Sequence, residues 1–73
     1  MEGLGVIKAP IPGLIMDVMV KVGDRASAGQ VVLTMEAVKL LNNITASVAG
    51  IVREIPVQKG SEVATGDVLV GIG

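Results

Sequence analysis

Residues 7–35 read IKAPIPGLIMDVMVKVGDRASAGQVVLTM and residues 44–72 read ITASVAGIVREIPVQKGSEVATGDVLVGI, so that the second stretch repeats the first after 37 positions. Seven of the 29 aligned pairs are identical, and three of these seven are glycines. Two related halves predict a pseudo-two-fold structure with one shared core, in which neither half is stable alone. The identical pairs are Ile7 and Ile44, Ala9 and Ala46, Gly13 and Gly50, Val20 and Val57, Gly23 and Gly60, Gly29 and Gly66, and Val31 and Val68.

Short apolar runs, each ended by Gly, Pro, Asp or Ser, follow one another along the chain. Such runs are typical of short strands joined by tight turns and not of helices. They predict an all-β sandwich or barrel. The expected strands lie near residues 5–9, 14–20, 25–26, 31–35, 40–45, 51–57, 62–63 and 68–72.

The composition excludes several classes of function. The chain has 73 residues, a net charge of -1, and no His, Cys, Trp, Tyr or Phe. Without the usual neutral-pH base, thiol nucleophile and soft metal ligand we expect a single domain that is not itself an enzyme. A near-neutral chain without stacking rings is not expected to bind nucleic acid. No apolar run is long enough for a membrane span, and no secretory signal opens the chain, so we expect a cytoplasmic or mitochondrial matrix-like protein.

The segment between the two repeats, residues 36–43 or EAVKLLNN, contains Lys39 beside its midpoint. A hairpin that joins two related halves projects from the body of the domain and holds its central side chain in solvent. This position makes Lys39 a candidate functional residue, although a solvated lysine is also ordinary in such a turn.

Several motifs carry a resemblance to a known family. APIPG at residues 9–13, VKVGD at 20–24 and AGQ at 28–30 resemble segments of biotin carboxyl carrier domains. EAVKL at residues 36–40 lies where that family has Glu-Ala-Met-Lys-Met. The chain thus resembles the biotinyl/lipoyl carrier domains over residues 6–73, and residues 1–5 are expected to form an N-terminal tail. The resemblance implies a flattened barrel of two four-stranded antiparallel sheets with the attachment lysine on an exposed hairpin.

The resemblance also implies a function for Lys39. In the family, a biotin protein ligase joins biotin to this lysine through an amide bond. The domain then carries carboxylated biotin between a biotin carboxylase component and a carboxyltransferase or decarboxylase component. By resemblance, Lys39 is the covalent attachment site and Glu36, Ala37, Val38 and Leu40 are the flanking residues that the ligase and the carboxylase recognise.

Two alternatives stay open beside the biotin interpretation. Lipoyl domains of 2-oxo-acid dehydrogenase complexes usually have Asp before the lysine and a small residue after it. The apolar Val38 and Leu40 are nearer the biotin pattern, which has methionine on each side. The second alternative is an unmodified structural module that keeps the barrel, and the intact lysine argues against it.

Val38 departs from the family pattern at a position where the backbone matters. If Val38 and Lys39 form the centre of a type I′ turn, both residues need a positive φ, which a β-branched side chain disfavours. Three outcomes are possible: the turn relaxes to another type, Val38 is strained, or the domain has drifted from efficient modification. We expect a relaxed or a strained turn.

Further expectations concern the packing of the domain. Met16, Met19 and Met35 should pack in or beside the core, and the acid pairs Asp17 with Glu54 and Asp24 with Asp67 should be solvated. The expected core residues are Ile15, Val18, Val20, Val32, Val52, Ile55, Val57 and Leu69, and the glycines expected in turns are Gly13, Gly23, Gly29, Gly50, Gly60 and Gly66.

Overall fold

A computed structural model describes residues 4–73, and every regular element in this range is a β-strand. All eight predicted strands are present, and their bounds differ by a few residues from the expected ones. The sixth ends before Pro56, which has no N–H to give to a sheet. The strands are β1 (Gly5–Lys8), β2 (Gly13–Val18), β3 (Arg25–Ala26), β4 (Val31–Ala37), β5 (Leu40–Thr45), β6 (Gly50–Glu54), β7 (Glu62–Val63) and β8 (Val68–Ile72).

Two four-stranded antiparallel sheets form the fold, with strand orders β1-β8-β6-β3 and β5-β4-β2-β7. A shift of 37 residues converts the strands of the first sheet into those of the second, in the same order. Each sheet therefore takes two strands from each half of the sequence. The fold is the all-β barrel-sandwich that the repeat and the resemblance predicted.

Irregular positions repeat together with the strands. In the pairing of β2 with β4 the register shifts between Ile15 and Asp17, and in the pairing of β6 with β8 it shifts between Val52 and Glu54. Met16 and Arg53 are the extra residues at these two bulges, and they occupy equivalent positions in the repeat. Bulges bend and twist a sheet locally, so both sheets curve at corresponding places to enclose one core.

Four tight turns also repeat, each with a glycine at positive φ in its third position. In the turn of residues 21–24, Gly23 has a φ of 97° and the Asp24 carboxylate accepts the N–H of Lys21 at 2.8 Å. The turns of residues 27–30, 58–61 and 64–67 have the same backbone hydrogen bond and the same kind of side-chain acceptor. A positive φ in the third position is the mark of a type II turn, where glycine avoids the Cβ penalty.

The expectation of turns at Gly13 and Gly50 is wrong, because these residues begin β2 and β6. The structure gives a different reason for glycine at position 13. A Cβ there would lie 2.5 Å from the carbonyl oxygen of Glu36 and 2.6 Å from Cε of Met35. Gly13 thus lets the start of β2 approach the end of β4.

Backbone hydrogen bonds join the two halves reciprocally. The N–H of Gly23 donates to the carbonyl of Val52 at 2.8 Å, and the N–H of Gly60 donates to the carbonyl of Ile15 at 2.8 Å. These two bonds are equivalent in the repeat, since each links a turn of one half to a strand of the other. The halves are therefore held together by their backbones as well as by the shared core.

The core agrees largely with the expectation from the sequence. Ile15, Val20, Val32, Val52 and Leu69 are buried, whereas Val18, Ile55 and Val57 are half-buried and pack against the buried cluster. The core is built mainly from aliphatic side chains on the inner faces of the two sheets, as the absence of aromatic residues requires.

Met16, Met19 and Met35 differ in how far they are buried. Met35 is fully buried and Met16 is half-buried, as expected, but Met19 is 60% exposed. The prediction for Met19 is wrong because Met19 lies beyond the end of β2 and its neighbour Val20 takes the inward position.

The acid pairs are mostly solvated as expected. Asp17, Glu54 and Asp67 are exposed, while Asp24 is half-buried where its carboxylate caps the turn at Lys21. Of the expected N-terminal tail at residues 1–5, residues 1–3 lie outside the described residues, and Gly5 is the first residue of β1. Among residues 4–73 there is no helix that is long and apolar enough to cross a membrane.

Candidate functional site

The hairpin that joins β4 to β5 forms the candidate site. The two strands pair at six positions, from Val31 with Thr45 up to Ala37 with Leu40, so only Val38 and Lys39 remain to form the loop. The φ of Val38 is 53° and that of Lys39 is 63°, which puts both residues in the left-handed region. Positive φ at both central residues is the signature of the type I′ turn, which suits the right-handed twist of paired strands.

The first of the two outcomes expected for this turn is therefore wrong, because the turn does not relax to another type. The second outcome, strain at Val38, stays a prediction. Both φ values fit an ordinary type I′ turn, and strain is expected because a β-branched side chain disfavours the left-handed conformation. Pairing of the two strands right up to Ala37 and Leu40 leaves a two-residue loop, and both turn types that favour such a loop, I′ and II′, put its first residue at a positive φ.

The side chain of Lys39 is exposed at the centre of this loop. Within residues 4–73 its amine has no hydrogen-bond or ion-pair partner. The side-chain amide of Asn42 donates to the carbonyl of Leu40 at 3.1 Å and braces the return strand just after the loop. The hairpin thus presents a free primary amine on a supported backbone.

Three exposed apolar side chains lie beside Lys39, and we call them together the tip patch: Val38, Leu40 and Leu41, which are 84%, 68% and 64% exposed. Leu41 was not singled out from the sequence; it pairs with Glu36, so its side chain lies on the opposite face of the hairpin from that of Leu40. Among the expected recognition residues, Glu36, Val38 and Leu40 are exposed, but the side chain of Ala37 is buried at 4%. Ala37 anchors the hairpin in the core and offers little surface to a partner.

A groove lies directly below the hairpin, with a volume of about 390 Å³. It forms where the chain enters β2 beside the end of β4 and the short edge strand β7. Its position follows from pairing, since Leu14 of β2 faces Glu36 of β4 on one side and Glu62 of β7 on the other. The lining residues are Pro12, Gly13, Leu14, Glu36, Ala37, Val38, Glu62 and Val63.

Most of the groove could not be found from local sequence signals. Glu62 and Val63 are more than 20 positions from Lys39 in the sequence and reach the hairpin only through the pairing of β7 with β2. The charged residues that line the groove are two exposed glutamates, Glu36 and Glu62. No group of three or more acidic side chains in the described part of the chain is arranged to hold a metal ion.

The fold and the hairpin define a class of protein: a small carrier-type β-barrel, made of two interleaved halves, that displays one lysine on a two-residue turn. A family model described as "Biotin-requiring enzyme", which covers biotinyl and lipoyl domains, matches residues 5–72. The chain belongs to this family.

Curated relatives place the chain beside biotin carriers. It is 45% identical over 64 residues to the biotin carboxyl carrier protein of Streptococcus mutans, covering 88% of this chain and 49% of that protein. It is 40% identical over 65 residues to the human mitochondrial propionyl-CoA carboxylase alpha chain, covering 89% of this chain and 9% of that one. The chain therefore spans half or less of the length of these relatives.

Solved structures agree with the architecture. A urea carboxylase from Kluyveromyces lactis superposes with a TM-score of 0.89 and 27% identity, over 97% of this chain and 6% of that one. The lipoyl domain of the 2-oxoglutarate dehydrogenase complex from Azotobacter vinelandii superposes with a TM-score of 0.80 and 23% identity, over 93% of this chain and 94% of that domain. The barrel is thus common to biotinyl and lipoyl domains, and the chain is homologous to biotin carboxyl carriers.

Proposed function

We propose that this chain is the biotin carboxyl carrier domain or subunit of a biotin-dependent carboxylase, decarboxylase or transcarboxylase, and that Lys39 holds the biotin covalently. The observation that carries the proposal is the amine of Lys39, which has no partner among residues 4–73, at the centre of an exposed two-residue turn in a chain of the biotin-requiring family. The domain itself contributes no catalytic group to the reaction.

The residues of the hairpin fit biotin as a covalent group. Attachment through an amide needs a primary amine that an enzyme can reach. Lys39 carries its amine on a flexible four-carbon side chain, and this side chain is exposed on the two-residue loop. The tip patch supplies apolar contact area beside this amine, and no acidic residue adjoins Lys39 in the sequence, where lipoyl domains usually have Asp.

The attachment step requires a biotin protein ligase with ATP and biotin. The ligase first activates biotin as the adenylate: a carboxylate oxygen attacks the α-phosphorus of ATP and pyrophosphate leaves. The amine nitrogen of Lys39 then attacks the carboxyl carbon, AMP leaves with the electrons of the broken C–O bond, and the nitrogen loses a proton, so that an amide remains. Glu36, Val38 and Leu40 are the surface that the ligase would recognise around the amine.

The domain contributes to catalysis by positioning the attached biotin. Once attached, biotin supplies a ureido nitrogen on which a carboxyl group can be carried. The paired strands β4 and β5 hold the attachment point away from the body, and the flexible lysine stem lets the group reach separate active sites at a high effective concentration. The expected partners are a biotin carboxylase component and a carboxyltransferase or decarboxylase component.

The test is modification in vitro followed by intact mass spectrometry. The domain is incubated with biotin, ATP and a biotin ligase, and in parallel with lipoate, ATP and a lipoate ligase. We expect one biotinyl group per chain, no lipoyl group, and no modification of a Lys39→Ala variant. Lys21→Ala, which removes another exposed lysine, is the matched control and should be modified like the unaltered chain.

Other outcomes of this experiment point to the alternatives. Lipoylation without biotinylation would identify a lipoyl carrier, which the shared barrel accommodates. An unmodified product in both reactions, or a biotinyl group that persists in Lys39→Ala, would overturn the assignment of Lys39 as the attachment site.

A further inference from the structure

We propose that the groove below the hairpin is a resting site for the biotin ring on its own domain. The inference rests on the proposed function, because it takes Lys39 as the point of attachment. It goes beyond that function by assigning a binding role to Leu14, Glu62 and Val63, which lie more than 20 positions from Lys39 in the sequence.

Continuity between groove and attachment point is the first argument. Val38 lines the groove and is the residue directly before Lys39. The biotinylated lysine side chain, which we call the arm, therefore starts at the rim of the groove. The arm is long and flexible, and it can fold back over Val38 without any change in the barrel. The volume of about 390 Å³ lies at the lower end of the range of small-molecule sites, which suits one fused bicyclic ring.

The chemistry of the lining is the second argument. Pro12 and Leu14, with the small exposed part of Val63, offer apolar contacts to the hydrocarbon and thioether face of the ring. Glu36 and Glu62 are hydrogen-bond acceptors only, and the ureido group of biotin has two N–H donors. Hydrogen bonds from N–H groups to carboxylates are stronger than those between neutral groups. The groove thus combines an apolar wall with the acceptors that a cyclic urea needs.

The same two glutamates give the groove a preference between states of the arm. A carboxyl group on the ureido nitrogen removes one N–H donor and adds a negative charge next to two carboxylates. Like charges at short range repel, so the loaded arm is disfavoured in the groove relative to the empty arm. The groove would therefore hold the arm between reactions and leave it free when it carries its cargo.

A weak site is sufficient for this role. A group tethered by a short flexible linker has an effective concentration of about millimolar at a neighbouring site. An open groove with a millimolar dissociation constant is then occupied for about half of the time, and the ring remains available to other active sites.

The first test uses the unmodified domain, so it does not depend on the ligase. Biotinamide, in which the carboxyl group is capped as in the attached form, is titrated to millimolar concentration while amide ¹H–¹⁵N spectra are recorded. We expect saturable shifts at Gly13, Leu14, Val38 and Val63. Lipoamide, whose ring has no N–H donors, should shift these signals at least fivefold less. Linear or absent shifts with biotinamide would overturn the proposal even if biotinylation succeeds.

A matched pair of variants then tests the carboxylate. Glu62→Gln keeps the shape of the side chain but replaces the carboxylate, which only accepts hydrogen bonds, with a neutral amide. Because the charged acceptor is lost, we expect the dissociation constant of biotinamide to rise about tenfold. Glu54→Gln makes the same change at an exposed glutamate of β6 outside the groove and should leave the constant unchanged. An equal response of the two variants would contradict the role of Glu62.

The biotinylated domain gives an independent readout. Compared with the unmodified chain, it should show shifted signals at Gly13 and Val63 as well as around Lys39, and contacts between methyl groups of Leu14 or Val63 and the ring. Shifts confined to residues 37–40 would mean that the arm stays in solvent. Failure of the ligase to modify Lys39 would refute the proposed function, whereas the titration would still decide whether the groove binds a cyclic urea.

Discussion

Val38 adopts a backbone conformation that its side chain disfavours. Its φ of 53° lies in the left-handed region, where a side chain at Cβ crowds the following carbonyl and costs about 1–2 kcal/mol. Because Val38 is 84% exposed, packing of its side chain offsets little of this cost. The valine therefore makes the hairpin less stable and contributes an apolar contact surface next to Lys39.

Replacement of Val38 by glycine should stabilise the domain. Relief of the left-handed strain exceeds the extra entropy that glycine gives to the unfolded chain, so we expect Val38→Gly to raise the free energy of unfolding by about 1 kcal/mol. Val22→Gly is the matched control, since Val22 is also exposed but lacks a positive φ, and it should lower stability by about 0.5–1 kcal/mol. Thermal unfolding measures both, and equal destabilisation by the two variants would show that Val38 is unstrained.

At the scale of the element, the four tight turns show how side chains define the barrel. Asp24, Gln30, Ser61 and Asp67 each accept the N–H of the residue three positions earlier, at 2.8–3.0 Å. In every case the glycine before the acceptor has a positive φ. The repeat therefore preserves a function of the side chain, since carboxylate, amide and hydroxyl oxygens serve equally as acceptors.

Removal of one side-chain acceptor should show how much its hydrogen bond contributes to the free energy of unfolding. Asp67→Ala leaves the N–H of Ala64 without its partner at 2.8 Å, and we expect the free energy of unfolding to fall by about 1 kcal/mol. Asp24→Ala should act similarly on the equivalent turn. For comparison, Asp17→Ala removes a carboxylate whose contact with Lys59 is a solvent-exposed ion pair of 4.0 Å, and the change should stay within about 0.5 kcal/mol. Urea unfolding separates these cases, and a similar loss in all three would deny the turns a special role.

The whole molecule depends on the exchange of strands between its halves. Each sheet contains two strands from each repeat, and the bonds from Gly23 to Val52 and from Gly60 to Ile15 cross between the repeats in both directions. Neither half can therefore complete a sheet, and the chain has neither a disulfide nor an aromatic cluster to compensate.

Separation of the halves should abolish the fold. We expect residues 1–38 and residues 39–73, made as two peptides, each to be unfolded alone, because each lacks the two central strands of one sheet and the two edge strands of the other. Circular dichroism and amide proton dispersion in NMR spectra measure this directly. A cooperative thermal transition in either peptide alone would contradict the interdependence of the halves. The intact chain under the same conditions is the control.

The sequence by itself determined the fold class, the eight strands and the position of Lys39 on the connecting hairpin. This was possible because glycines in turns, alternating aliphatic residues and a repeat of 37 positions are local or periodic signals. The same signals misplaced Gly13 and Gly50 in turns, and at Gly13 the reason is that a glycine needed for close approach resembles a glycine needed for positive φ.

Only the tertiary structure decided what surrounds Lys39. The burial of Ala37, the retained left-handed turn at Val38 and the groove closed by Glu62 and Val63 all depend on which strands lie side by side. Pairing between strands that are distant in the sequence is set by the packing of both sheets around one core, and no local pattern encodes it. The position of Lys39 on the connecting hairpin is therefore a property of the sequence, whereas the surface around it is a property of the fold.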